Sequence, residues 1–254
     1  MYMRKTYMDN IRWMTVVLVV LFHVVYMFNG VETAGVVGPF SDTQYQDAFQ
    51  YAVYPWFMLL LFVVSGACAR YYLENHTHRE FIKSRTRKLL VPSTIGLFVF
   101  QWILGYYNMQ ISGAFDRMGN SVPGFVLYLV MALSGTGVLW YIQVLWIFSV
   151  LLVLFRMVEK DRLYVLCEKV NVPVLLGLSA VVWGMAQCLN TPVIVVYRFG
   201  IYGTGFLVGY LCISHGKVME RLQARWAPLS VSAVWLGGVF TVCYWGKPYA
   251  EHAV

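Results

Sequence analysis

The feature that most constrains this chain is a recurrence. Apolar stretches lie near residues 11–29, 50–72, 89–108, 138–157, 173–190, 193–213 and 229–246. Each has about the length a helix needs to cross some 30 Å of hydrocarbon at about 1.5 Å per residue. Backbone polar groups in lipid must be satisfied within the segment, so such stretches are helices. The expected fold is therefore all-α, a polytopic transmembrane bundle of about seven spans. A shorter stretch, 124–134, ends in Ser134-Gly135-Thr136-Gly137. It is too short to span and reads as a re-entrant or interfacial helix, or the first part of a kinked span. Composition removes the soluble alternatives. Charged residues are 12% of the chain, against about 25% in water-soluble domains. A mean hydropathy of +0.62 and 17% aromatic residues exclude a disordered chain.

The basic residues alternate with the spans. The segment before the first span carries Arg4, Lys5 and Arg12, and the loop after the second carries Arg70, Arg79, Lys83, Arg85, Arg87 and Lys88. Arg156, Lys160, Arg162 and Lys169 follow the fourth span, and Lys217, Arg221 and Arg225 follow the sixth. Of the 19 basic residues, only Arg117, Arg198 and Lys247 fall elsewhere. The opposite loops carry Glu32, Asp42, Asp47, Asp116 and Glu251. The asymmetry puts the N-terminus in the cytoplasm and the C-terminus outside. It also assigns the net charge of +7 to topology rather than to a nucleic-acid partner. Arg4 and Lys5 before an apolar run resemble a signal peptide. The run continues to Phe28 with no small-x-small site close behind it, so it is a true first helix. No cysteine falls in an external loop, so no disulfide framework is expected. His76 and His78 share a loop without a third ligand, and no metal is expected. Neither an internal repeat nor a separate soluble domain interrupts the chain.

Ionisable groups within a membrane are costly and usually functional. Arg12 and His23 share the first helix. Eleven residues bring them within roughly 20° of one another, with a rise of roughly 16 Å. Arg12 alone is an interfacial anchor, and His23 alone bonds a neighbouring helix. Together they suit a phosphate-bearing molecule that enters from the inner face, with an imidazole to exchange a proton at its far end. The run Phe81-Ile-Lys83-Ser-Arg85-Thr-Arg87-Lys88-Leu-Leu-Val-Pro92 is either a positive-inside anchor or a second part of that phosphate site. Arg198 either snorkels outward past Tyr197 and Tyr202 or lines an external substrate cavity.

These residues resemble the membrane-bound acyltransferase 3 family. Asp9-Asn-Ile-Arg12-Trp followed by Val-Leu-Phe-His23 is similar to its opening helix, in which ten residues separate an Arg and a His. Phe62-Val-Val-Ser65-Gly66 resembles its aromatic-x-x-Ser-Gly element. Arg85-x-Arg87-Lys88-Leu-Leu-x-Pro92 resembles its basic entry to the third helix, and Leu139-Trp140-Tyr141 its Leu-Trp-aromatic helix. Phe206-Leu-Val-Gly209-Tyr210 is a further match. The resemblance implies a multi-pass protein of a bacterial plasma membrane. Such a protein moves an acyl group from cytoplasmic acyl-CoA to a hydroxyl of an extracytoplasmic glycan or lipid-linked acceptor. Arg12, Arg85, Arg87 and Lys88 would meet the CoA phosphates. His23, with Arg12, would carry the chemistry, as base or as transient acyl carrier. The basic stretch is similar to that of members that modify glucans, by acetyl or succinyl transfer. Relatives generally have more spans and end in the cytoplasm. Residues 1–254 are therefore expected to form a single acyltransferase-like domain, shortened at its C-terminus. A transporter or flippase, in which intramembrane Arg and His mark a substrate path, and an inactive truncated remnant are the alternatives.

Overall fold

The computed structural model describes residues 6–29, 45–118, 122–189 and 198–248. The regular structure there is helical: α1 (Thr6–Tyr26), α2 (Asp47–Val53), α3 (Phe57–Leu73), α4 (His78–Ile111), α5 (Gly124–Ser134), α6 (Gly137–Glu159), α7 (Arg162–Cys167), α8 (Val172–Leu189), α9 (Phe199–Ile213), α10 (Gly216–Gln223) and α11 (Trp226–Tyr244). Five apolar stretches are long enough to cross a membrane: α1, α2 with α3, α4, α6 and α11. Shorter apolar helices are α5, α8 and α9. The expected spans 173–190 and 193–213 thus correspond to α8 and α9, and residues 190–197 lie outside the described part. The expected span 50–72 is interrupted at Tyr54–Trp56. Pro55 has no N–H to give the Tyr51 carbonyl four residues back, the Trp56 N–H turns to the Val53 carbonyl at 3.3 Å, and the Trp56 indole donates to the Ala52 carbonyl at 2.8 Å. The expected span 89–108 begins earlier, at His78, so the basic run is helical rather than loop. Thr77 and Glu80 form a capping box that starts the helix there.

The helices fall into two compact units, α1–α3 with α7–α11 and α4–α6. In the first, α3 and α9 run parallel in direct backbone contact. A Cβ at Gly66 would stand 1.9 Å from the Phe206 carbonyl oxygen, and one at Gly209 would stand 1.9 Å from that of Val63. Gly205 faces a side chain instead, the Leu59 Cδ1, which a Cβ would approach to 2.3 Å. Gly66 and Gly209, one on each helix, let two backbones meet where lipid offers no hydrophobic drive. Parallel α3 and α9 are what the charge alternation requires of the second and sixth spans. The ladder of contacts continues along both helices. Phe62 stacks on Tyr202 at 4.8 Å, and the Tyr71 hydroxyl donates to the Ser214 carbonyl at 2.9 Å. Against α3, α1 lays a stripe of Met8, Thr15 and Phe22, one every seven residues and so on one face. Next to it, α11 meets α2 through Tyr51, which is fully buried, lies tilted against the Phe240 ring at 6.4 Å, and donates to the Lys247 carbonyl at 2.7 Å.

In the second unit, α4 contains two π turns, Thr86–Leu90 and Leu97–Gln101. Pro92 follows the first and cannot donate to the carbonyl four residues back. The wider turn absorbs this, with the Val91 N–H reaching Thr86 O. The Trp146 indole of α6 donates to the Thr86 hydroxyl at 3.0 Å, and Tyr128 of α5 donates to the Phe98 carbonyl. Glycines again permit close approach: Gly105 to Met131 O, Gly135 to Gln101 O, and Gly96 to the Leu139 side chain. Leu139 of the Leu-Trp-aromatic motif is thus a packing residue of α6 against α4.

Replacing Gly209 by Ala should lower stability by about 1–3 kcal/mol through overpacking, read as a lower thermal midpoint in detergent. Gly237→Ala in α11, where a Cβ meets nothing within 4 Å, should instead leave it unchanged or raise it by about 0.5–1 kcal/mol.

Candidate functional site

On α1 the residues packed inward are Met8, Thr15 and Phe22, with Ile11, Leu18, Val19 and Tyr26 beside them. Arg12 and His23 both lie roughly 60–80° from the centre of that stripe, on the same shoulder. Their alignment is therefore a property of the helix itself. Arg12 is half-buried at the end that packs on the C-terminal part of α3. Its Nη2 donates to the Cys68 Sγ at 3.0 Å, and its Nη1 is 4.0 Å from Asp9. A thiol and a half-exposed carboxylate leave donor capacity on a five-donor guanidinium.

His23 lies on the exposed shoulder rather than in the packed interior. Its Nδ1 is 2.7 Å from the Val19 carbonyl oxygen, on its own helix, instead of bonding a neighbouring helix. A carbonyl only accepts, so Nδ1 carries the proton and Nε2 of the neutral ring is left with its lone pair. The Phe22 ring meets the imidazole edge-on at 5.6 Å. The backbone carbonyl and that ring fix the orientation in which Nε2 can act as a base.

The basic run belongs to the second unit. Arg85 is half-buried, its guanidinium 5.1 Å from the ring of fully buried Phe81. Arg87 and Lys88 are exposed within the π turn. The turn resets the helical phase between Arg85 and Lys88, and such turns recur at functional sites. Arg12 and His23 thus belong to one unit and Arg85, Arg87 and Lys88 to the other.

Two further groups stand out in the structure, one of which the sequence marks only as a loop cation and the other of which it leaves with two readings. Arg70 counts in the sequence among the basic residues after the second span. In the structure it is 8% exposed. It donates to Asp161 at 2.6 Å, to the Tyr210 hydroxyl at 3.2 Å and to Glu74 at 3.3 Å. Its guanidinium lies 3.5 Å over the Tyr164 ring, whose other stacking partner is His215 at 3.9 Å. Asp161 is held at φ 62°, a left-handed conformation that Asp tolerates better than most residues. This is a structural pin tying α3, α7 and α9 at their basic end. The signal for it was the pair Lys160-Asp161 between two helices, which marks a turn but not its partner 91 residues away.

Arg198 is the second group. It is 7% exposed, so it does not snorkel outward. It lines a cleft of about 220 Å³ together with Tyr54, Ser179, Trp183 and Tyr202. Its guanidinium lies 5.8 Å from the Tyr54 ring. Phe22 stacks on Tyr54 at 5.9 Å, so the turn of α1 that carries His23 and the wall of this cleft share one aromatic stack. Among the described residues, no three of His, Cys, Asp and Glu lie together as metal ligands would.

The sequence matches the acyltransferase 3 family, described as an acyltransferase domain, over residues 5–253. Neither a curated protein nor a solved structure matches it.

Arg70→Met should destabilise the protein by about 2–3 kcal/mol. That is below the cost of breaking a fully buried pair, because the Asp161 side chain is a third exposed. Arg70→Lys should recover less than half of the loss, since an ammonium cannot reproduce the fork and the ring stacking. Thermal midpoints of the three proteins in one detergent test this.

Proposed function

The chain belongs to the acyltransferase 3 family of membrane proteins, and on that premise we propose that it moves an acetyl or succinyl group from cytoplasmic acyl-CoA to a hydroxyl of an extracytoplasmic glycan in a bacterial plasma membrane. The observation that carries the reading is the 2.7 Å bond from His23 Nδ1 to the Val19 carbonyl. It leaves Nε2 as a proton acceptor on the same shoulder as Arg12.

In this reading His23 is the general base. Its Nε2 takes the acceptor hydroxyl proton as that oxygen attacks the thioester carbonyl. The C–S bond breaks, the new ester C–O bond forms, and the imidazolium returns the proton to the leaving thiolate. General-base catalysis of this kind contributes about 10²–10⁴ in rate. Acyl-CoA supplies the activated thioester and several phosphate charges. Guanidinium forks match phosphate oxygens two at a time. Arg12 at the basic end of α1, Arg85 just before the first π turn of α4, and Arg87 and Lys88 within that turn are the groups assigned to those charges. The positive-inside asymmetry supports this, because it puts all four on the cytoplasmic side.

His23→Ala should lower acyl transfer by at least about 100-fold while membrane insertion and the thermal midpoint stay near those of the parent, because among the described residues the ring's contacts lie within α1 and it stands outside the packed stripe. Radiolabelled acyl transfer to envelope glycan by membranes carrying each protein measures it. Transfer by the His23→Ala protein at the parental rate would remove His23 from the mechanism.

A further inference from the structure

Cys68, Cys167, Cys212 and Cys243 are free thiols among the described residues, and two of them meet. Cys167 closes α7, and Cys212 lies in the π turn Gly209–Ile213 that closes α9. Their thiols are hydrogen-bonded to each other. Cys212 is 3% exposed, whereas Cys167 is half-buried and keeps part of its surface open. A buried cysteine by itself is a small apolar packing residue. A buried thiol in contact with one that solutes can reach is a different arrangement, that of an oxidisable cysteine beside a cysteine that resolves it.

The contact is held from both sides. Tyr164 precedes Cys167 by three residues and so shares its face of α7. Its ring lies under the Arg70 guanidinium at 3.5 Å, beside the Tyr210 ring at 6.4 Å and against His215 at 3.9 Å. The His215 Nε2 donates to the Tyr164 carbonyl at 2.9 Å. Beyond Cys167 the chain is fastened to α10, where Arg221 donates to the Glu168 and Val170 carbonyls at 2.9 and 2.7 Å and Lys217 pairs with Glu168 at 2.7 Å. Tyr210 sits in the same π turn as Cys212. The packing around Arg70 therefore sets the two sulfurs opposite each other, and closing them to a bond of about 2.0 Å asks for a small shift of α7 rather than a rearrangement. The neighbouring basic residues, Lys160, Arg162, Lys169, Lys217 and Arg221, mark this end of the unit as cytoplasmic. A cytoplasmic pair is reduced at rest, and a disulfide formed there is transient and reports an oxidant.

We propose that Cys167 and Cys212 are a peroxide-oxidisable dithiol that closes into a disulfide and clamps α7 to α9. The Cys167 thiolate attacks one oxygen of hydrogen peroxide, the O–O bond breaks, and hydroxide leaves a sulfenic acid on Cys167. The Cys212 sulfur then attacks the Cys167 sulfur, the S–O bond breaks, and the hydroxyl departs as water with the Cys212 proton. The proton first lost by Cys167 neutralises the hydroxide, so two thiols and one peroxide become one disulfide and two waters. Each sulfur gives up one electron and the peroxide takes both. Cytoplasmic thiols reverse the bond by exchange. This chemistry does not depend on the acyl-transfer reading. Its product ties covalently the two elements that the Arg70 cluster already joins without a bond.

The test is peptide mapping of the full chain in phosphatidylcholine nanodiscs after brief exposure to hydrogen peroxide, alkylation and tryptic digestion. Cys167 and Cys212 fall in the tryptic peptides 163–169 and 199–217, each with a single cysteine. These two peptides should appear linked, about 2 Da lighter than their sum, and should separate again with dithiothreitol. The oxidised protein should melt roughly 5–10 °C above the reduced one, and peroxide should not raise the midpoint of Cys167→Ala or Cys212→Ala. In Cys212→Ala, which keeps a small apolar group at the buried position, dimedone should trap the sulfenic acid on Cys167. Cys167→Ala should give no such adduct on Cys212. A folded protein that yields no linked pair, a pair that forms only after denaturation, a sulfenic acid trapped on Cys212 instead of Cys167, or a linked pair that leaves the midpoint unmoved would each overturn the proposal.

Discussion

Much of the first unit depends on two backbones touching. At Gly66 and Gly209 the helices α3 and α9 approach until a carbonyl of each fills the place where the other would carry a Cβ. In lipid, van der Waals contact and interhelical bonds replace the hydrophobic effect as the force between helices, so this contact sets the register for what lies on either side. Toward the basic end it brings Arg70 against Tyr210 and Tyr71 against Ser214. Toward the other end it brings Phe62 against Tyr202 and places Arg198 above Tyr54. Two motif elements that look like separate signatures, Phe62-Val-Val-Ser65-Gly66 and Phe206-Leu-Val-Gly209-Tyr210, are the two halves of one helix crossing.

The same economy of space runs through the second unit. There the close contacts are Gly105 with Met131 and Gly135 with Gln101, and the irregular pitch of α4 is held by Trp146 and Tyr128 reaching into its two π turns. Two of the basic residues of α4, Arg87 and Lys88, sit on the first of these turns, and Arg85 directly precedes it. A rigid, irregular backbone under exposed cations is a way to hold several positive charges in one place despite their repulsion. The cost of that repulsion falls when phosphate groups neutralise it.

The sequence made the spans legible because bilayer thickness fixes helix length and the basic residues mark the loops. It also made the shared shoulder of Arg12 and His23 legible, since 3.6 residues per turn is a property of any α-helix. It did not reveal that His23 would bond its own Val19 carbonyl, because that choice depends on which shoulder of α1 is covered. The break at Pro55 and the early start of α4 at the Thr77–Glu80 box were written locally but lie next to apolar runs that dominate a hydropathy reading. Arg70 was hidden for a different reason. Its partners Asp161, Tyr164 and Tyr210 are far away in the chain, and charge counting treats every cation near a span end alike. For Arg198 the sequence left two readings, and burial beside Tyr54 and Trp183 decides for the cavity.

The account joins a basic inner face to an acyl donor, and binding of that donor is its most direct test. Acetyl-CoA binding to the purified chain should be compared with binding to an Arg85→Ala/Arg87→Ala variant, each at low and high salt. The account predicts binding that weakens as salt rises, as ion pairs with phosphates do when screened, and that the double variant loses. Binding that ignores salt, or that the double variant retains in full, would contradict it.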